Sequence, residues 1–227
     1  MDAARKRPPV LVACGLAFEA ALAAGPDVVP VPGSRKRIDA LLRDGAAGWS
    51  GILSFGCAGA LDPGLAPGSC VLASGVHTPD GFLCADAGWL RALRRRLPDA
   101  VVGELAGSDT PLLKAADKAA LWRAGGACAV DMESHAAALA ARRHNLPFAA
   151  CRVVLDPAWR SVPPCALAGV NADGGTALLP LLRALAAAPG QLGALCLLAG
   201  DAWRARRALV RVRARLGPGL ALPPRFT

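Results

Sequence analysis

Three carboxylates of this chain follow directly after apolar stretches, where a charged side chain requires a structural or functional explanation. They are Glu19, Glu133 and Asp156. An unpaired charge is costly to bury, so such an acid either belongs to a helix start or a turn, or holds a ligand. A carboxyl group in an apolar site can keep its proton near neutral pH and act as a general acid, whereas an ionised one accepts hydrogen bonds.

Each acid also has a purely structural explanation. Glu19 and Glu133 could be acids in the first turn of a helix, where the helix dipole favours negative charge. Asp156 precedes Pro157, and an Asp-Pro pair is common in a turn after a strand. The segment FGCAGALDPG (55–64) is either a tight turn or a surface where the backbone meets a flat ligand. Taken singly, these signals do not choose between structure and ligand binding.

The elements that must position these residues alternate along the chain. Period and length predict strands at 10–17, 27–31, 51–61, 69–74, 100–107 and 147–156, with a further strand end at ACAVDM. They predict helices at 34–45, 86–97, 114–125 and from the DMES segment to about residue 144. This order indicates one α/β domain over residues 8–227, with a mainly parallel central sheet flanked by helices. A helical tail, broken near 188–190, should occupy about 176–217.

The carboxyl ends of the predicted strands bring five segments into one candidate site. Ligands of open α/β sheets bind beyond these strand ends. The segments there are Gly15–Glu19, Gly56–Ala60, Ser108–Pro111, Asp131–Glu133 and the single residue Asp156. Convergence of five segments is stronger evidence for a ligand site than any one acid alone.

Composition excludes several classes of partner. The net charge of +9 comes almost wholly from arginine, and a basic chain can favour nucleic acid or an anionic membrane. The chain has no tyrosine, and its five tryptophans are not interleaved with a basic patch, so we expect no nucleic-acid partner. The eight cysteines form no CxxC pair, which predicts reduced, packed thiols and no metal site.

The tail carries a basic helix with two interpretations. No apolar run reaches the ~20 residues that a bilayer span needs, and the basic start lacks a signal-like apolar region, so we expect a cytoplasmic protein. In 203–216, apolar residues at helical spacing lie beside a row of arginines. Such a helix either lies on an anionic membrane, making the protein peripheral to the inner membrane, or packs on the sheet with a solvated basic side.

Five segments, in order, resemble the purine nucleoside phosphorylase and methylthioadenosine nucleosidase superfamily. They are ACGLAFEA, LSFGCAGALDPGLAPGSCVLAS, AGSDTPL, AVDMESHAAALAA and CRVVLDPA, of which DMES and RVVLDPA are the most specific. The resemblance covers roughly residues 10–160. Within the superfamily, the DMES segment, LPFAACRVVLDPAWRSVPP and the long tail look like the hopanoid-associated phosphorylases, which remove adenine from adenosylhopane.

The resemblance implies a role for each residue of the candidate site. Asp156 would protonate the leaving adenine at N7, and Glu19 would orient an attacking water. Glu133 would accept hydrogen bonds from the ribose 2′- and 3′-hydroxyls, with Met132 packed against the sugar. The adenine would lie between the backbone around Ala58 and Gly59 and the backbone around Pro111 and Leu112. The polar residues Ser108 and Asp109 would shape the second of these loops. The superfamily also implies a small-molecule nucleoside substrate, a homo-oligomer and no cofactor.

The residues leave phosphorolysis and hydrolysis open. In the phosphorylases an arginine stands at the position of Ser54 and a serine at that of Cys57, and this chain has neither. Gly15, Ser34 and Arg35 are the remaining candidates for binding phosphate as a co-substrate.

Two further functions, and the role of one histidine, stay open at this point. A methylthioadenosine or adenosylhomocysteine nucleosidase would differ only in what fills the 5′ pocket. A non-catalytic purine-nucleoside sensor would need no acid at the leaving group. His135, which follows the DMES acid, is expected to pack or to form a hydrogen bond rather than to act as a base.

Overall fold

The computed structural model describes residues 8–32, 35–44, 48–171 and 174–224. The strands in these ranges are β1 Val10–Cys14, β2 Val28–Pro32, β3 Gly51–Ala60, β4 Cys70–Thr78, β5 Gly81–Cys84, β6 Val101–Gly107, β7 Ala129–Asp131 and β8 Phe148–Asp156. The helices are α1 Ala17–Ala23, α2 Arg35–Asp44, α3 Ala87–Arg96, α4 Ala115–Gly125, α5 Ser134–Arg143, α6 Cys165–Ala168, α7 Leu178–Ala187 and α8 Leu192–Leu216. A 3-10 turn, Pro189–Gln191, separates α7 from α8, at the predicted break of the tail.

One eight-stranded mixed sheet holds the domain together. Strand β3 pairs with β1 and β8 in parallel and with β7 in antiparallel orientation. Strand β4 pairs with β6 in parallel and with β8 in antiparallel orientation, and β6 pairs with β7 in parallel. The strands β3, β8, β4, β6 and β7 therefore close into a ring, which sets the ends of β3, β7 and β8 beside one another. The predicted α/β class is confirmed.

Some element predictions differ from the structure. Strand β1 ends at Cys14 rather than residue 17, because α1 begins at Ala17. The glycine-rich segment is not a tight turn: strand β3 continues through it to Ala60, in agreement with the strand predicted over 51–61, and Gly56, at φ 151°, lies in the region that favours glycine. The hairpin strand β5 was not predicted, because its four residues, GFLC, are mostly exposed and show no alternating pattern.

The second half of α8 packs on the sheet. Five of its apolar residues are buried in the cluster that also holds Val12; they are Ala205, Ala208, Leu209, Val212 and Leu216. Most arginines between them are exposed, whereas Arg213 is half-buried and donates to the Ala23 carbonyl. Of the two interpretations of 203–216, the structure supports the helix packed on the sheet with a solvated basic side.

The described residues contain no single helix that is both long and apolar enough to cross a membrane. Only α7 and the stretch from the 3-10 turn through α8 meet this criterion together, and they are bent by 113° at their junction.

Candidate active site

Four of the five predicted segments approach one another closely at glycine positions. A Cβ at Gly15, after β1, would lie 2.6 Å from the Oε1 atom of Glu133. A Cβ at Gly59, near the end of β3, would lie 3.2 Å from the Oδ2 atom of Asp156. The fifth segment adjoins them, because the Ser108 backbone donates to the Asp131 carbonyl over 2.9 Å. The carboxyl ends of β1, β3, β6, β7 and β8 thus form one site.

Glu19 places its carboxylate in a cluster of backbone N–H groups. The Oε2 atom accepts hydrogen bonds from Gly15 at 2.9 Å and Leu16 at 3.0 Å, and Oε1 accepts one from Cys57 at 2.7 Å. The side chain is 1 % exposed. Converging backbone N–H groups make an anion site, and here the anion is part of the protein. Glu19 does lie in the first turn of α1, but its carboxylate also reaches β3.

Of the three residues predicted to bind phosphate, the structure shows the hydrogen bonding of Gly15 alone. The N–H group of Gly15 is bonded to Glu19 rather than open to an external anion. Ser34 lies outside the described residues, and Arg35 is described only as the first residue of α2.

Arg152, which none of the sequence motifs singled out as a site residue, joins the acids of β7. It lies in the middle of β8 with no exposed surface. Its Nε atom is 2.5 Å from the Asp131 carboxylate, and its Nη2 atom is 3.1 Å from that of Glu133. Nη2 also donates to the Ser54 hydroxyl at 2.5 Å. The guanidinium thus stands beside the position where the phosphorylases carry an arginine. An arginine inside the apolar run FAACRVVLD was the available signal, because such a charge requires anionic partners.

The charges around Arg152 shift the proton affinity of Glu133. Burial, and then the carboxylates of Asp131 and Glu19, raise the pKa of Glu133 to about 7, against the opposing effect of Arg152. Burial alone would lower the pKa of Arg152, but the three carboxylates raise it above its usual value. Glu133 is therefore able to exchange a proton near neutral pH while the arginine stays charged. Asp131 is both a helix-start acid, accepting from the Ser134 backbone at 3.1 Å, and the partner of Arg152.

Asp156, at the end of β8, forms an ion pair with Lys118 of α4. Lys118 is fully buried, whereas the Asp156 side chain keeps 13 % of its surface exposed. Burial raises the pKa of Asp156, and the lysine opposes that effect. The sequence offered no signal for this pair, because nothing in the α4 segment distinguishes Lys118 from the exposed Lys114.

The residues predicted to flank the substrate lie around these charges. Met132 is 43 % exposed, next to Glu133. The Ala58 side chain is buried in the core, so only its backbone can face a ligand, whereas Gly59 is partly exposed. In the loop after β6, Pro111 is exposed and Leu112 packs against a small apolar cluster.

Two polar residues order that loop. The Ser108 hydroxyl accepts from the Thr110 backbone at 3.2 Å and donates to its carbonyl. The His135 ring hydrogen-bonds to Asp109 at 3.0 Å, so this histidine has the hydrogen-bonding role expected of it.

An apolar cavity of about 220 Å³ adjoins the Glu19 site. It is lined by α1, by the segment around α6, and by α7 and α8; its residues are Leu16, Ala17, Phe18, Ala166, Gly169, Val170, Gly174, Thr176, Leu181 and Leu195. Leu16 also donates its N–H to Glu19, so the cavity begins at the carboxylate cluster. A larger cavity, of about 250 Å³, lies at the opposite end of β8 and contains none of the predicted site residues.

Solved structures with the same fold include nucleosidases and a hydrolase. The S-adenosylhomocysteine nucleosidase from Streptococcus pyogenes, in complex with 5-methylthiotubericidin, is 15% identical with a TM-score of 0.62, covering 92% of this chain and 97% of that one. The 5′-methylthioadenosine/S-adenosylhomocysteine nucleosidase from S. pneumoniae is 16% identical with a TM-score of 0.62, covering 92% and 99%. Futalosine hydrolase from Helicobacter pylori is 14% identical with a TM-score of 0.57, covering 66% and 88%. At these identities the likeness shows the fold alone.

A family model identifies the superfamily directly from the sequence. No curated protein matches the chain. The model described as "Phosphorylase superfamily" matches residues 37–163, more than half of the chain and most of the site described above. The chain belongs to the Phosphorylase superfamily, and the prediction of an enzyme of the nucleoside phosphorylase or nucleosidase type is confirmed at that level.

Proposed function

We propose that this protein hydrolyses the N-glycosidic bond of a 5′-substituted adenosine. The observation that carries the proposal is the position of Glu19, whose carboxylate occupies a cluster of three backbone N–H groups. An external phosphate would have to displace that carboxylate. Arg152, the buried cation nearest to Glu133, is already bonded to Asp131 and Glu133. Both facts favour water over phosphate as the nucleophile.

The proposed reaction uses one acid on each side of the bond. Asp156 donates its proton to adenine N7, and the electrons of the bond between C1′ and N9 leave with the base. The sugar passes through an oxocarbenium-like state, as in glycoside hydrolysis. Glu133 accepts hydrogen bonds from the ribose 2′- and 3′-hydroxyls, while Glu19 orients a water and accepts its proton as the oxygen attacks C1′.

The apolar cavity beside Glu19 supports a substrate with an apolar 5′ group. At about 220 Å³ it is smaller than the ~300–1,000 Å³ of typical ligand pockets. A larger substituent would extend past Leu181 and Leu195 onto the exposed leucines of α7 and α8. This arrangement suits adenosylhopane, the substrate that the motif resemblance implies. A methylthioadenosine-type substrate would fill only the cavity.

Adenine release without phosphate tests the proposal. The purified protein is expected to release adenine from 5′-hexylthioadenosine equally fast in phosphate and in sulfate at matched ionic strength, and to yield the free sugar. Replacing Glu19 by Gln should slow release by about 10²-fold or more, because water activation is lost. Chromatography of the sugar product is the measurement. Release that requires phosphate and yields a sugar 1-phosphate would contradict hydrolysis, and binding without any release would support the sensor alternative.

We propose further that α7 and the first half of α8 contact an anionic lipid surface. Residues 178–200 contain one charged residue, Arg183, and none of them is buried. The most exposed leucines there are Leu178, Leu179, Leu182, Leu192 and Leu197, which we term the tail surface. The helix continues into exposed arginines, including Arg204 and Arg207. Two copies meeting on this surface would bring those arginines together, whereas an anionic surface would attract them.

Vesicle flotation of Leu182→Glu tests the tail surface. The wild type should co-float with phosphatidylglycerol vesicles and not with phosphatidylcholine vesicles. L182E should weaken this binding at least tenfold, since burying a leucine contributes about 1.5–3 kcal/mol. Phe82→Glu, at an exposed apolar residue of β5, is the matched control and should bind normally. If L182E instead turns a dimer into a monomer by light scattering and vesicle binding is absent, the surface joins two copies. The homo-oligomer implied by the motif resemblance otherwise stays a prediction.

A further inference from the structure

We propose that Lys118 is a positioning residue for the general acid: it holds one carboxyl oxygen of Asp156 and leaves the carboxyl group open toward Gly59. The inference rests on the proposed function, in which Asp156 protonates the leaving base. Lys118 comes from α4, outside every motif that pointed to the site.

Three acceptors surround the amino group of Lys118. Its Nζ atom donates to the Asp156 Oδ2 atom, to the Pro157 carbonyl at 3.1 Å and to the Arg160 carbonyl at 3.0 Å. Three acceptors match the three N–H groups of an ammonium, whereas a neutral amine has only two. The side chain is fully buried, so water does not compete for these bonds. Lys118 thus ties α4 both to the acid and to the chain that follows it.

The same contacts orient the carboxyl group of Asp156. With Oδ2 bonded to Lys118, rotation of the carboxyl group would break an ion pair. A Cβ at position 59 would contact both carboxyl oxygens, at 3.2 and 3.4 Å. The missing side chain of Gly59 therefore opens the carboxyl group toward β3, where a flat purine can approach it.

Lys118 also sets how readily the acid gives up its proton. The charged and titratable groups that face Asp156 are Lys118 from α4, Asp201 from α8 and Cys57 from β3. Arg160 is held by Asp201 and so compensates that acid. Burial raises the pKa of Asp156, and Lys118 is the group that opposes this rise. Without Lys118 the acid would retain its proton more tightly and donate it less readily to adenine.

A pH profile of Lys118→Met distinguishes this role from a structural one. Activity requires Asp156 protonated and Glu133 ionised, so the optimum lies midway between their two pKa values. Removing a cation in contact with a carboxylate raises its pKa by about 1–3 units. The optimum of K118M should therefore move to higher pH by about half that amount, with slower adenine release from 5′-hexylthioadenosine. Turnover of 4-nitrophenyl riboside should change little, because its leaving group needs no proton.

Three further variants complete the test. Lys114→Met removes an exposed lysine from the same helix end and should keep the wild-type optimum. Lys118→Arg retains the charge and should also keep it. Lys118→Gln removes the charge with a polar side chain and should reproduce the shift even if K118M does not fold. An unmoved optimum in K118M or K118Q, or equal losses on both substrates, would overturn the inference. A wild-type protein that releases no adenine would refute the proposed function instead.

Discussion

Replacing Asp156 by Asn is expected to lower kcat for adenine release by about 10²–10⁴-fold, the usual contribution of a general acid. The amide cannot give a proton to N7, so adenine would have to leave as an anion. Ligand binding should persist, because Glu133 and the apolar cavity are untouched. Single-turnover kinetics with 5′-hexylthioadenosine and calorimetric titration with a non-cleavable analogue separate the two effects.

The controls for this variant follow from the ion pair with Lys118. Asp156→Asn leaves a buried ammonium without its carboxylate, which itself destabilises the fold. The double variant D156N/K118M removes both charges and should recover stability but not activity on the nucleoside. Both variants should still cleave 4-nitrophenyl riboside, and D99N, at an 87 %-exposed side chain, should behave as wild type. A D156N enzyme with near-normal adenine release would remove Asp156 from the mechanism.

Replacing Arg152 by Met is expected to cost about 3–5 kcal/mol of unfolding free energy, as for other broken buried ion pairs. Asp131 and Glu133 would remain in the core without their cation. A lysine would not substitute well, since it cannot reach the two acids through a planar fork. Urea unfolding measures the loss, as a lower transition midpoint with an unchanged m-value. Arg142→Met, which breaks an exposed pair with Asp80, is the control and should cost less than about 1 kcal/mol.

The pH dependence of R152M gives a second readout. Without the guanidinium, the folded-state pKa of Glu133 should rise further above its unfolded value. A carboxyl group whose folded pKa is raised stabilises the fold at low pH, and this contribution is lost as the pH rises. The stability gap between R152M and the wild type should therefore widen above about pH 7, the pKa of Glu133 in the folded wild type. A gap that is constant over this range would show that Arg152 does not neutralise Glu133.

The acids of the site could be read from the sequence because their positions depend on local rules. Glu19, Glu133 and Asp156 each follow an apolar run, and parallel strands bring their carboxyl ends to one edge. That reasoning required only strand order and alternation, which the chain displays clearly. It left open whether the glycines after Phe55 form a turn: β3 continues through Gly56, where a Cβ would collide with the Glu19 carboxylate.

The cations could not be placed in the same way. Lys118 and Asp156 are 38 residues apart in the sequence, and nothing in the α4 sequence marks Lys118 as buried. Arg152 was visible as a charge in an apolar strand, but its partners Asp131 and Ser54 come from two other strands. Such pairs depend on how α4 and β3 pack against β8, and no local pattern specifies that packing. The buried side of α8 likewise depends on tertiary contacts.

The ion pairs of the site leave it with an excess of negative charge. In the proposed active form, in which Asp156 carries its proton, three carboxylates, from Glu19, Asp131 and Glu133, face two cations, Arg152 and Lys118. A phosphate dianion entering this region would be repelled before it met any specific contact. A sugar that becomes positively charged as its base departs would be stabilised by the same field. Under the proposed mechanism, this balance of charge would favour the transition state of hydrolysis and discriminate against an anionic co-substrate.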